Sequence, residues 1–268
     1  MTLGTKVASN LPYLRRYARA LTGDQARGDA FVRATLEAAL ADEGLRQQIG
    51  EGRAQLYRAF NSVWASAYVD TRDVSGASAV NVSTHEAAVQ ERLSHITPAN
   101  RQALLLTTLE NFSINETAYI MDRKPEDVEA LVQEAIAEID RESTTSVLII
   151  EDEPLISMQL EELVRSLGHE VCGMAATRSQ AQEIAAREKP GLVLADIQLA
   201  DGSSGLDAVD DIMKIGNVPV IFITAYPERL LTGERAEPTY LITKPFQEST
   251  VQAAISQALF FKSGRPPA

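Results

Sequence analysis

The chain has 268 residues, 45% of them hydrophobic, with 25 Lys and Arg against 37 Asp and Glu for a formal net charge of −12. That length suits about two domains, and the apolar content supplies ordinary cores and excludes global disorder. The acidic balance argues against general affinity for nucleic acid or anionic membrane, both of which require basic surface. A single cysteine, Cys172, excludes an internal disulfide and a thiolate metal cluster, and its place after Val171 in an expected strand reads as a buried structural thiol. No basic-then-apolar leader opens the sequence and no apolar run approaches the ~20 residues of a membrane span, so a cytoplasmic protein is expected.

The first part of the chain reads as helical. Leu14, Tyr17, Ala18 and Leu21 share one face of a helix over Leu11–Leu21, and Thr22-Gly23-Asp24 ends it and caps the next. That second helix runs to about Leu40, with Ala30, Phe31, Ala34, Ala38 and Leu40 available for packing. A third, from about Glu51 to Val69, carries Leu56, Tyr57, Phe60, Val63, Trp64 and Ala67, with Trp64 read as core. Apolar periodicity then fades from Asp70 to Thr84, a linker. Helices resume near Glu86–Leu93 and again after Thr97-Pro98, with Ala103, Leu104, Leu106 and Leu109 inward. Ser113 and Glu116 form a capping box for a short helix ending at Met121. A turn at Asp122–Pro125 leads to a helix over Glu126–Ile139, with Val128, Leu131, Val132, Ala135, Ile136 and Ile139 inward. The two helices about that turn make a helix-turn-helix pattern. Asp140–Ser146 is a second polar linker.

From there the pattern alternates. Compact apolar strands at about 147–151, 170–174, 191–196, 219–224 and 239–243 are separated by helices near 154–167, 178–188, 205–215, 227–234 and 248–261. This predicts a doubly wound five-stranded parallel sheet. Four strand ends carry chemistry: Glu151-Asp152-Glu153, then Asp196 with Gln198, then Thr224, then Lys244-Pro245. Ligand sites of open α/β sheets lie at the carboxyl ends of their strands. A carboxylate accepts a phosphoryl group only when a cation offsets the charge of both, and Mg²⁺ favours a few carboxylates, a carbonyl and waters. Glu151, Asp152, Asp196 and the Gln198 main-chain carbonyl fit that set. Asp196 is the natural nucleophile, and Thr224 and Lys244 are placed to hold phosphoryl oxygens.

These residues resemble the receiver domain of two-component response regulators, a flavodoxin-like fold, over about 146–262. The segments that carry the resemblance are Ile150-Glu-Asp-Glu-Pro154, Leu194-Ala-Asp-Ile-Gln-Leu199, the Gly202/Gly205 loop, Thr224-Ala225 and Lys244-Pro245-Phe246. It implies Asp196 as phospho-acceptor, Glu151 and Asp152 as metal holders, and Thr224 and Lys244 as reporters of the phosphate. Two departures stand out: Glu151 occupies a position more commonly Asp, and Leu241 one often filled by an aromatic switch. Phe222-Ile-Thr-Ala-Tyr226 is similar to a receiver subgroup without that switch.

The helical half resembles the two domains of a small extracytoplasmic-function sigma factor. The likeness is strongest over 86–140, through Leu93-x-x-Ile-Thr-Pro-x-x-Arg101 and Ser113-Ile-Asn-Glu-Thr-Ala118, and weaker over 10–67. Charge decides whether DNA binding comes with it. Arg123 and Lys124 face Glu126, Asp127, Glu129, Glu134 and Glu138, a balance that repels a duplex. Sigma-like half followed by receiver resembles the PhyR-type general stress response regulators of alphaproteobacteria. That resemblance implies a phosphorylation-controlled anti-anti-sigma factor. Its partners would be a NepR-like anti-sigma factor and an upstream histidine kinase or phosphotransfer protein, with no DNA and no membrane. The expected divisions are 1–69 (sigma region 2-like), 70–85 (linker), 86–140 (sigma region 4-like), 141–146 (linker), 147–262 (receiver) and 263–268 (tail). A DNA-binding regulator or true sigma factor is the alternative. A phosphatase-like enzyme is disfavoured because no general acid appears beyond the receiver set.

Overall fold

A computed structural model describes residues 3–73, 98–139, 144–199, 202, 204–216, 218–227 and 238–263. The chain separates into two compact units, Met1–Ala135 and Ile136–Ala268.

In the first unit α1 (Leu3–Thr22), α2 (Gln25–Ala41), α3 (Glu43–Glu51) and α4 (Arg53–Asp73) precede α5 (Ala99–Thr108), α6 (Ile114–Met121) and the start of α7 (Pro125–Ile139). Leu14, Tyr17, Ala18 and Leu21 are fully buried on one stripe of α1, as their spacing predicts. The helix begins at Leu3, well before Leu11, and carries Pro12 in its interior, where the ring removes one i→i−4 bond. The Ser9 hydroxyl and the Asn10 amide both donate to the Lys6 carbonyl on that side (2.9 Å each).

The packing face of α2 differs from the expected one. Gly28, Val32, Thr35 and Ala39 are buried, whereas Ala30 is exposed and Leu40 is 75% exposed. The cause is a close crossing: a Cβ on Gly28 would sit 2.8 Å from the Arg19 backbone nitrogen, so glycine lets α2 meet α1 there and fixes its rotation. Phe31, half-buried, packs against Trp64 with ring centroids 4.8 Å apart. Asp29 lies between Arg15 and Arg19 and accepts from both, with Arg19 Nη2 at 2.9 Å from Oδ1 and Arg15 Nη2 at 3.0 Å from Oδ2. The sequence reading passed over α3, a short helix capped by the Asp42 side chain at Leu45 N–H. The long helix after it starts at Arg53, beyond the break at Gly52, and runs through Asp73 into the expected linker. Leu56, Tyr57, Phe60 and Trp64 form its buried face.

The capping box at Ser113 and Glu116 is present, and Asp122 adopts the left-handed conformation (φ 53°) in the turn between α6 and α7. Pro98 stands as the N-cap of α5, one position ahead of the helical turn expected for it. The expected helices at 86–93 and 227–234, most of both linkers and the end of the tail lie outside the described residues.

The second unit is an α/β fold: β1 (Ser146–Ile150), α8 (Pro154–Ser166), β2 (Glu170–Ala175), α9 (Arg178–Glu188), β3 (Leu192–Ala195), α10 (Gly205–Ile215), β4 (Val220–Thr224), β5 (Tyr240–Thr243) and α11 (Glu248–Ser263). The strands form one parallel sheet in the order β2-β1-β3-β4-β5. Every residue of β3 and four of five in β1 are buried, which is why both read as unbroken apolar runs. Leu148, Ile150, Val193, Ala195, Phe222 and Leu241 contribute strand side chains to one core layer. Cys172 is half-buried, contrary to the buried thiol expected, because it sits at a register shift where Val147 pairs Val171 and Leu148 pairs Gly173. Its Sγ lies 3.3 Å from the Val147 carbonyl, and burial pushes the thiol pKa up.

Candidate functional site

The strand order changes direction between β1 and β3, and the chain ends of these two strands hold Glu151 and Asp196. This is the switch-point crevice at which open α/β sheets place their ligands. β3 hands its last residue, Ala195, to Asp196, whose N–H donates to the Ile150 carbonyl (2.8 Å) and so keeps the strand pairing up to Asp196. Asp196 is only 8% exposed. Its Oδ1 accepts the Ile197 N–H at 2.5 Å and lies 3.4 Å from the Gln198 nitrogen. Its Oδ2 accepts from Lys244 Nζ at 2.7 Å.

Gly205 makes this geometry possible. A Cβ there would come within 1.7 Å of the Asp196 carbonyl oxygen, and the Gly205 N–H donates to the Ile197 carbonyl at 2.8 Å. The loop from Gln198 to Ser204 is closed by a bridge between those two residues, so glycine lets the start of α10 press directly on the end of β3.

Glu151 is buried at the end of β1. Its Oε1 accepts the Glu153 N–H at 3.2 Å, while its Oε2 lies 2.8 Å from Lys244 Nζ but outside hydrogen-bond geometry. Burial raises the Glu151 carboxyl pKa and the neighbouring Asp196 charge adds to this, with Lys244 pulling the other way. Burial works against the Lys244 ammonium, yet Asp196 and Glu151 outweigh it and hold the lysine pKa above its usual value.

Ligand oxygens of Glu151, Asp152 and Asp196 lie within 4.8 Å of one another. Three carboxylates against one ammonium leave a surplus of two negative charges in a largely buried crevice, and a buried Glu151 oxygen lacks a well-aligned donor. Such a set fits a hard divalent cation.

Of the residues singled out in the sequence, Glu151, Asp152, Asp196 and Lys244 come together at one point. Gln198 borders it through its backbone. Thr224 does not reach Asp196: its hydroxyl accepts the Tyr226 N–H (3.2 Å), and it is tied to the site through the Lys244 N–H, which donates to the Thr224 carbonyl (2.7 Å). A cis Lys244–Pro245 bond follows. At the Leu241 position the side chain is buried, and the nearby Tyr240 is buried with its hydroxyl 3.3 Å from the Gln257 carbonyl, whereas Tyr226 is exposed. Glu153, singled out in the acidic triplet without a role of its own, stands at the rim with its Oε1 3.5 Å from Lys244 Nζ.

In the helical unit, α6, the Asp122 turn and α7 form the helix-turn-helix. Arg123, Lys124, Glu126, Asp127, Glu129 and Glu134 are exposed, so the surplus of acid over base lies in solvent. Among the described residues, no helix is long and apolar enough to cross a membrane.

Comparison with known proteins joins the two units. Residues 7–61 match a model of the sigma2 domain of PhyR, 93–142 the sigma-like domain of the response regulator PhyR, and 147–256 the response regulator receiver domain. The phyllosphere-induced regulator PhyR of Methylorubrum extorquens is 52% identical over 263 residues, covering 98% of this chain and 96% of that protein. Among solved structures, PhyR of Brucella abortus is 47% identical with a TM-score of 0.81, covering 98% of this chain and 96% of its own. The anti-anti-sigma factor PhyR of Bartonella quintana is 46% identical with a TM-score of 0.83, covering 98% and 97%. Sigma-like helices, acidic receiver crevice and near full-length identity agree, and the chain belongs to the PhyR family of response regulators.

Proposed function

We propose that the chain is a phosphorylation-controlled anti-anti-sigma factor acting in the cytoplasm. In this reading 1–69 and 86–140 form the recognition half and 147–262 the receiver. It is a regulator and not an enzyme with a separate substrate. The observation that carries the reading is the triad of Asp196, Lys244 and Glu151 at the sheet switch point, joined in one chain to sigma-like helices whose recognition helix is acidic.

Asp196 is the phospho-acceptor. A carboxylate oxygen attacks the phosphorus of a phosphohistidine on a kinase or phosphotransfer protein, the P–N bond breaks, and the released imidazole takes up a proton. Glu151, Asp152, Asp196 and the Gln198 carbonyl would hold Mg²⁺, which when bound offsets the charge between carboxylate and phosphoryl group. Lys244 begins as the partner of Asp196 Oδ2 and passes to a phosphoryl oxygen, and Thr224 supplies a hydroxyl donor once it releases the Tyr226 N–H. The modification replaces the single charge of the Asp196 carboxylate with an acyl phosphate of roughly −1.5 to −2, a net gain of up to about one negative charge where negative charge is already in surplus. It therefore pulls on Lys244 and Thr224, which are joined backbone to backbone across β4 and β5.

The output is capture of an anti-sigma factor by the helical half, which frees the sigma factor for general stress transcription. The Bartonella quintana relative has been crystallised with the anti-sigma factor NepR. Complete switching from 1:99 to 99:1 requires about 5.5 kcal/mol of differential stabilisation, so the partner's own binding energy contributes to the shift. Titration of purified NepR against the full chain, with and without a phosphoryl donor, tests the reading. Tighter binding of the phosphorylated chain is expected; equal affinity in both states rules the switch out.

A further inference from the structure

The helical unit contains a second buried carboxylate that the receiver chemistry does not use. Glu110, 1% exposed, lies in the connection between α5 and α6. Its Oε1 accepts from Arg16 Nε (3.1 Å) and Nη2 (2.9 Å), and its Oε2 accepts from the Tyr57 hydroxyl (2.7 Å) and from Arg53 Nη2. The same arginines hold the backbone: Arg53 Nη1 donates to the Glu110 carbonyl at 2.7 Å and Arg16 Nη2 to that of Leu109 at 3.0 Å. Phe112 lies edge-on to Tyr57 (4.9 Å) with the Arg53 guanidinium 4.3 Å over its ring. A further fastening grips the other end of α6. Arg58 donates to the Tyr119 carbonyl (2.5 Å) and to Asp122 (2.7 Å), and Asn61 to the Ile120 carbonyl (3.3 Å).

The placement in the sequence gives this hub its meaning. Arg16, Arg53 and Tyr57 lie in the stretch that matches the sigma2 domain, and Glu110 in the stretch that matches the sigma-like domain. We propose that Glu110 is a positioning residue: it locks the two sigma-like regions into one recognition body, so that the anti-sigma partner reads both in a single fixed register. This rests on the anti-sigma reading above. Two guanidinium groups and a phenol hydroxyl satisfy one carboxylate, and withdrawing Glu110 from the slot would leave cations partly buried without their counter-charge, which disfavours separation of the regions. A partner that binds across both regions then meets them already ordered and loses little affinity to fixing their orientation. Regions joined by the chain alone would bind as tethered modules, with affinity set by the tether.

The test uses the full chain, phosphorylated, as wild type, Glu110→Gln and the milder Tyr57→Phe, with Bartonella quintana NepR as probe and all titrations well below the melting transition. Expected for Glu110→Gln are faster hydrogen exchange in peptides covering residues 99–121, at least tenfold weaker NepR binding and unchanged phosphorylation of Asp196, with Tyr57→Phe shifting the first two in the same direction but less. A merely stabilising residue would lower the melting temperature and leave the affinity of the folded protein unchanged; that result, or unchanged exchange, overturns the proposal. If Glu110→Gln fails to fold, Tyr57→Phe and Arg58→Gln decide it by the same two readouts. Wild type that captures no NepR overturns the anti-sigma reading itself, while the exchange data still judge the lock.

Discussion

The two units each bury a carboxylate, and they treat it in opposite ways. Around Glu110 the protein supplies two arginines and a tyrosine hydroxyl, so negative charge is over-compensated and every bond is internal. Around Asp196 one lysine serves a cluster of three carboxylates, so charge is under-compensated and the crevice attracts what the protein does not itself provide. The first arrangement is closed on itself, and the second is the acidic cluster that the proposed function assigns to a cation and a phosphoryl group. Both residues are buried, and what separates them most is the ratio of guanidinium or ammonium to carboxylate.

The strongest way to break the comparison is Asp196→Ala. Phosphoryl uptake, followed by intact mass with a phosphoryl donor, is expected to vanish, together with any donor-dependent difference in partner affinity. Persistent uptake would place the acceptor elsewhere. Glu110→Ala comes next. It leaves two cations without their partner and is expected to cost about 3–5 kcal/mol in the stability of the helical unit, measured by calorimetry. A loss below 1 kcal/mol would show that the network is replaceable by solvent. Lys244→Ala removes the competing ammonium from the acidic crevice. Mg²⁺ binding by titration calorimetry should tighten roughly 10- to 30-fold, the scale of a unit charge acting on a dication a few ångströms away. Unchanged affinity would mean the cation sits elsewhere.

The smallest effect concerns a carboxylate between these extremes. Asp29 is partly buried, which opposes its ionisation, but hydrogen bonds from Arg15 and Arg19 outweigh this and lower its pKa. A depressed carboxyl pKa contributes stability that is present above the unfolded value of about 3.9 and is lost as pH falls through the lower folded value. Asp29→Asn should therefore remove about 1 kcal/mol or less at neutral pH, after discounting for solvent screening, and make the acid limb of the stability profile shallower. A profile parallel to wild type below pH ~4 would sink this assignment.

Much of the receiver was readable because its signals are local. Apolar runs such as Val147–Ile150 and Leu192–Ala195 can be satisfied only by burial on both faces, and the residue that ends each run is carried to the same edge of the sheet. Glu151, Asp152, Asp196 and Lys244 therefore met where their strand positions put them. Thr224 shows the limit of such reasoning: its position at the strand end was legible, but its hydroxyl is engaged by Tyr226, a contact set by the turn that follows. In the helical half the stripe of α1 and the capping box at Ser113 were equally local. The face of α2 was not, because alanine-rich periodicity admits more than one buried stripe and the close approach at Gly28 chooses among them.

The sequence by itself determined the parallel sheet and the acidic crevice at its strand ends, since periodicity and strand-end chemistry act over a few residues. It also determined the acid surplus on the recognition helix, a matter of composition alone. Only the tertiary structure decided that Arg16, Arg53 and Tyr57 would close on Glu110, and that Gly205 would press against Asp196. Those pairings join residues far apart in the chain, and an arginine or glycine whose partner lies so distant carries no local pattern that distinguishes it from a solvated one.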